Sequence, residues 1–195
     1  MKILKILCAF AIFFAVNAAA LSENEIAPVM SGKVEEAVSI LKNESIAKDE
    51  KPAKIFALFD EYFDYVTIAK ISLGKHLKTL NDSQKSQFFS AFEKRLKSSF
   101  IDKLALYTNQ DMKVLGTNKP KSNRLNLETQ IIGEDKNYSV VFKFFPDKSD
   151  NWRVYDVDIL GVSIVQTYRS QFGDGALSFN EILDCLNNAN LPEDK

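Results

Sequence analysis

Between positions 23 and 45, Ile26, Met30, Val34, Ala37 and Leu41 recur at steps of three and four, with Glu and Lys between them. That spacing predicts one amphipathic helix. Lys48 to Lys51 form a short charged break, after which Pro52 suits the first turn of a second helix running through Phe56, Phe59 and Phe63. The stretch Phe63-Asp64-Tyr65 interrupts it, and Val66 to Leu73 continue as a short helix closed by Gly74. Asn81-Asp82-Ser83-Gln84 reads as a capping box, with Asn81 accepting from first-turn amides and Gln84 reaching back. The helix it opens carries Phe88, Phe92, Leu96, Phe100, Leu104 and Tyr107 at steps of three or four, and is predicted to be the longest in the molecule.

Past Gln110 the period changes to two. Met112 and Val114, then Leu125, Leu127, Thr129 and Ile131, alternate with polar residues, and Tyr138, Val140, Phe142 and Phe144 do the same. These are half-buried antiparallel strands, separated by turn residues at Asn118-Lys119-Pro120 and from Gly133 to Asn137. From Trp152 to Leu160 the apolar positions are first Trp152 and Val154, then Val157 and Ile159, so the parity flips near Tyr155-Asp156. A β-bulge or sharp bend there keeps both pairs facing inward. Ser163-Ile164-Val165-Gln166 opens a short helix that Gly173 ends, and Ser178 with Glu181 opens a last one through Ile182, Cys185 and Leu186. The expectation is one α+β domain over residues 21–195, with a helical layer on one face of a four-stranded, mostly antiparallel sheet.

The front of the chain stands apart from this pattern. Lys2 and Lys5 precede an apolar run from Ile6 to Val16, followed by Asn17-Ala18-Ala19-Ala20. Eleven apolar residues fall short of the roughly 20 needed to cross a bilayer, and the small residues after them suit a signal peptidase. Residues 1–20 are therefore expected to be a secretory signal peptide cut after Ala18 or Ala20. The 25 Lys and Arg against 26 Asp and Glu give a net charge of −1, and without the first twenty residues, which hold two lysines and no acid, it is −3. A mildly acidic chain with no basic run lacks the dense Lys/Arg face of a nucleic-acid binder. Cys8 leaves with the leader, so Cys185 has no intramolecular disulfide partner. A monomer is expected.

Catalytic candidates are few. His76, the single histidine, sits in a Lys-rich turn with no Ser, Cys or acid spaced to form a catalytic unit, and reads as a surface group. One His and one remaining Cys do not make a nitrogen and sulfur metal site, and no metal or cofactor is expected. There is no G-x-S-x-G elbow and no phosphate loop. An acid pair, Asp156 with Asp158, is the one remaining arrangement for general acid/base work, although two such carboxylates more often face solvent or pair with Arg. The chain is expected not to be an enzyme. What it has in quantity is aromatic carbon: twelve of its fifteen Phe lie beyond residue 20. They either fill a core or leave a cavity between sheet and helices, and periodicity alone does not distinguish the two.

Several stretches together resemble the MlaC, or toluene-tolerance, family. They are Phe63-Asp64-Tyr65 with Ile68 and Leu73-Gly74; Gln84 and Gln87 before Phe88 and Phe92; Trp152-Arg153-Val154-Tyr155-Asp156-Val157 with Gly161-Val162-Ser163; and Tyr168-Arg169-Ser170-Gln171-Phe172. The order and spacing run from about Phe56 to Leu186. Leu77 departs from the pattern, where the family often carries Trp. The resemblance implies a periplasmic phospholipid-binding shuttle that helps maintain outer-membrane lipid asymmetry. It implies a cone-shaped domain, like nuclear transport factor 2 in outline, with a deep apolar pocket between sheet and helices. The acyl chains of a glycerophospholipid would enter that pocket with the head group at its mouth. The implied partners are an inner-membrane ABC transporter with an MCE domain and an outer-membrane lipoprotein–porin complex.

On that reading the expected lipid-binding wall takes Leu127, Ile131, Val140 and Phe142 from the sheet, with Val154, Val157 and Ile159 from its last strand. The helices add Phe59, Phe63 and Ile71, then Leu96, Phe100 and Tyr107; Val162, Val165 and Tyr168 stand where the last strand meets its helix. Ordinary core packing selects the same side chains. Arg169 is expected to pair with Asp156 or Asp158. A diacyl lipid calls for a cavity toward or beyond the upper end of the roughly 300–1,000 Å³ found for small-molecule sites.

Overall fold

The computed structural model describes residues 20–104, 110–173 and 175–188; the leader expected over 1–20 falls almost wholly outside them, as does Tyr107. Helix α1 (Ile26–Lys42) follows a single 3-10 turn. It places Ile26, Met30, Val34 and Ala37 on one buried stripe. Helix α2 (Lys51–Phe59) has Pro52 in its first turn and ends earlier than the periodicity predicts. A 3-10 turn follows, and Phe63 adopts extended backbone, φ −95° and ψ 131°, because it is drawn into a parallel bridge with Val154. Asp64 N–H donates to the Val154 carbonyl at 2.9 Å. The break falls at Phe63-Asp64-Tyr65, where the sequence interrupts the helix, and a contact 90 positions away in the chain holds it there.

Asp64 then caps α3 (Tyr65–Leu73), accepting from Thr67 N–H at 2.8 Å and from the Thr67 hydroxyl at 2.7 Å. Asp64→Ala is expected to cost about 1 kcal/mol in urea unfolding, the usual loss for an N-cap acceptor; an unchanged midpoint would mean that the cap contributes nothing. Gly74 ends α3 at φ +59°, and a Cβ there would lie 3.3 Å from the Gly173 Cα. Two glycines let the ends of α3 and α5 pass at backbone contact. Asn81 and Gln84 form the reciprocal cap, at 2.9 and 3.0 Å, that opens α4 (Asp82–Leu104), the longest described helix.

The sheet runs in order β1 (Asp111–Lys121), β2 (Arg124–Ile132), β3 (Asn137–Pro146), β4 (Trp152–Ile159) and β5 (Val162–Ser163), with every pair antiparallel. It has five strands, not four. The fifth is only two residues long, too short to show a period, and follows a tight turn in which Leu160 and Gly161 both have positive φ. The parity flip in β4 is a bulge: Lys143 pairs with Asp156 and Phe144 with Val154, leaving Tyr155 as the extra residue. Val154 and Val157 therefore both face inward.

Helix α5 (Ile164–Phe172) and α6 (Phe179–Asn187), the latter with its Ser178–Glu181 capping box, complete the chain. One core cluster joins α3, α4, α5 and α6, around Phe88, Phe92, Tyr168 and Phe172. The Phe92 and Tyr168 ring centroids lie 4.8 Å apart. A second cluster joins the inner face of the sheet, through Leu125, Leu127, Phe144 and Trp152, to Ile26 and Met30 of α1. On the outer face Asn126, Glu128 and Gln130 are partly exposed, and Arg124 lies over the edge-to-face pair Phe145–Tyr155.

Candidate functional site

The two clusters do not merge along the whole length of the domain. Where α1 begins, Ile26 and Met30 reach the sheet and fill the space. Towards its C-terminus the same stripe carries Val34, Ala37, Val38 and Leu41, facing a cavity shared with Val140, Val157 and Ile159, and the smaller Val34, Ala37 and Val38 leave a gap. The result is a partly open cavity of about 370 Å³. Helix α2 walls it with Ile55, Phe56 and Phe59; Phe63 and Phe100 close the inner end, and Met112, Ile131 and Phe142 extend the sheet side.

Of the residues expected on the wall, Phe59, Phe63, Phe100, Ile131, Val140, Phe142, Val157 and Ile159 line this cavity. Leu96 and Val165 instead face a separate void of about 10 Å³ behind Phe63 and Phe100, no larger than one water. Leu127 and Val154 have no exposed surface and belong to the filled half of the sheet core. Ile71 and Tyr168 pack in the helical cluster. Val162 is 57% exposed on the two-residue edge strand β5. The wall residues that the sequence reading missed include Val34, Ala37, Val38 and Leu41 of α1, Ile55 and Phe56 of α2, and Met112 and Tyr138 of the sheet. Their periodicity was legible as a helix or strand face, but which object the face covers is not a local property.

Charge near the cavity is neutralised by partners. Tyr65 turns its hydroxyl to Asp60 at 2.7 Å, and burial, with that bond and the Asp60 and Glu93 carboxylates, pushes its pKa well up. Lys97 bonds Asp60 at 2.8 Å and Glu93 at 2.9 Å while lying over the Tyr65 ring. Burial works against its charge, but the two carboxylates outweigh burial and raise its pKa. This group ties the turn after α2 to α4.

The acids of β4 are occupied in the same way. Asp156, 5% exposed, accepts from Lys143 Nζ at 2.9 Å, Ser163 Oγ at 2.7 Å and the Val165 N–H at 3.1 Å. Asp158 lies 3.5 Å from the same lysine. The partner of both acids is thus Lys143 and not Arg169, which is exposed on α5; the bulge brings Lys143 of the neighbouring strand opposite Asp156. Asp156 is spent on the start of α5 and does not line the cavity. His76 lies in the 3-10 turn after α3, away from the cavity lining. Among the described residues no group of three or more His, Cys, Asp or Glu side chains is placed to hold a metal, and no helix is long and apolar enough to cross a membrane.

The five-stranded antiparallel sheet and the helices over it enclose an apolar cavity, the kind of space in which small apolar ligands are held. The family model described as MlaC protein matches residues 32–178, and the chain belongs to that family. Its fold is similar to that of a phospholipid-binding protein from Ralstonia solanacearum solved in complex with a phospholipid, with a TM-score of 0.66 at 18% identity over 83% of this chain and 98% of that one.

Proposed function

We propose that this protein is a periplasmic carrier of glycerophospholipid that binds its ligand without reacting with it. The observation that carries the reading is the apolar cavity between α1, α2 and the sheet. Membership of the MlaC family, and a similar fold crystallised with a phospholipid, support it. In this reading the protein moves lipid between the outer membrane and an inner-membrane ABC transporter with an MCE domain, taking it from or giving it to a lipoprotein–porin complex, and so keeps the outer membrane asymmetric. Residues 1–20 direct export. The wall residues Phe59, Phe63, Phe100, Ile131, Val140, Phe142, Val157 and Ile159 contact the acyl chains, and no residue acts as nucleophile or general base.

The physical need for such a carrier is plain. At about 0.8 kcal/mol per methylene, exposing two chains of roughly fifteen carbons to water costs on the order of 20 kcal/mol. The cavity of about 370 Å³ lies near the lower end of the range for small-molecule sites, which suits part of a diacyl lipid. Taking in both chains requires the walls to part. Helix α2 is the wall suited to move: only Ile55 of its nine residues is buried, and cavity in place of core lies beneath it.

Native mass spectrometry of the exported protein, purified without detergent from a Gram-negative host, tests the reading. The expected result is a stoichiometric mass increment of phospholipid size, released on organic extraction. A bare protein mass that takes up no lipid from phospholipid vesicles would overturn it.

A further inference from the structure

Polar groups enter the cavity lining mainly at one end of the sheet. Asp111 opens β1 opposite Ile132, and Ile132 in turn faces Asn137 beside Tyr138 at the start of β3. Gln110, Asp111 and Tyr138 all reach the lining there. Helix α1 delivers its C-terminus to the same place. Lys42 bonds Asp111 across a gap of 69 positions in the chain, and Lys51, in the first turn of α2, donates to the Leu41 carbonyl at 2.5 Å. Leu41 itself lines the cavity, and so does Ile55, one turn after Lys51 on the same side of α2. Neither lysine lines the cavity itself, but each ammonium group is bonded to a residue that does. Asp111 is the one acid in the lining among the described residues, and Lys42 holds its carboxyl below the ordinary range.

Helix capping accounts for part of this, since cations suit the unpartnered carbonyls of a helix C-terminus. It does not account for Lys42 reaching across to the sheet. A phospholipid whose chains fill the cavity leaves its charged head outside, because an apolar interior cannot solvate it. The head is then held next to these two lysines, whose compact charges engage phosphate oxygens without demanding a fixed geometry.

Building on the phospholipid reading above, we propose that Lys42 and Lys51 form an anion-binding rim for the phosphodiester of the bound lipid, with Asp111 as the resident carboxylate that the phosphate displaces from Lys42. The rim makes the protein selective for lipids that carry a phosphodiester over neutral lipids with the same chains.

The test measures uptake by the lipid-free exported protein from vesicles doped with phosphatidylglycerol, phosphatidylcholine or diacylglycerol of identical acyl composition. The wild type is expected to prefer both phospholipids to diacylglycerol by about tenfold, the effect of two partly exposed charge contacts. The double variant Lys42→Met/Lys51→Met is expected to lose that preference while its uptake of diacylglycerol is unchanged. Asp111→Asn, which removes the competing carboxylate, is expected to bind the phospholipids about two- to threefold more tightly, a gain that no purely structural role of the Lys42–Asp111 pair predicts. Equal uptake of all three lipids by the wild type would overturn the rim and leave the carrier reading standing, and so would a double variant that still discriminates. Displacement of bound lipid by millimolar inorganic phosphate would overturn the assignment to a lipid head in favour of a free anion. Failure of the wild type to take up any of the three would overturn the carrier reading itself. If the double variant does not fold, the wild-type comparison of head groups and Asp111→Asn still decide the matter.

Discussion

Ala37→Trp is expected to reduce phospholipid binding on the order of a hundredfold while leaving the protein folded. Ala37 lies on the cavity side of α1, three residues after Val34 and four before Leu41, and it lines the gap that the small side chains of this stripe leave open. An indole built from that position fills space that an acyl chain would occupy. Each methylene kept out of the cavity forfeits about 0.8 kcal/mol, so excluding four of them accounts for an effect of that size. Because the new ring enters a void and not a packed core, the usual strain of overpacking is small. Ser39→Trp, on the exposed side of the same helix, is the matched control and is expected to bind as the wild type does. Lipid retained through purification and the thermal midpoint are the two readouts. Full lipid binding by Ala37→Trp would mean that the chains lie elsewhere.

Asp156→Ala is expected to destabilise the fold by about 3 kcal/mol in equilibrium denaturation. The carboxylate is buried and serves three donors from three places in the chain: Lys143 on the neighbouring strand, Ser163 before α5, and the backbone N–H of Val165 in its first turn. Removing it strands the Val165 N–H and leaves Lys143 with Asp158 at 3.5 Å. Burial disfavours the charged Lys143, and only its bonds and proximity to the two acids hold its pKa above the ordinary value. Asp156→Asn keeps an acceptor for the N–H but loses the charge, so a smaller loss is expected. The variant that remains folded at low denaturant is expected to keep its lipid affinity, since Asp156 does not line the cavity. A loss below about 1 kcal/mol would show that this network does not anchor α5.

The Asp156 network also explains what could and could not be read from the residues around it. The change of parity between Val154 and Val157 is visible in the sequence, because inward positions in a strand recur every second residue. The bulge follows from it. Which cation meets the acid was not visible: Arg169 and Lys143 both lie 13 positions from Asp156, and pairing is decided by strand register, which sets Lys143 opposite Asp156. The break after α2 was legible at Phe63-Asp64-Tyr65, but the contact that holds it was not. Phe63 continues the helical spacing of Phe56 and Phe59, yet a bridge to Val154 pulls it into extended backbone.

The sequence by itself determined the helices and the four longer strands in their order, the caps at Asn81, Ser163 and Ser178, the bulge in β4 and the residues whose pattern resembles the MlaC family. All of these depend on neighbours within a few positions, where backbone geometry and hydrogen bonding act directly. Only the tertiary structure decided that Leu127 and Val154 fill a core while Val140 and Val157 face a cavity, that α1 and α2 supply more than a third of its wall, and that Lys42 meets Asp111 at its edge. An apolar side chain carries the same signal in the sequence whether its neighbour is another side chain or a ligand. The difference lies in how far apart non-local elements stand and in the sizes of the residues that face each other across the gap.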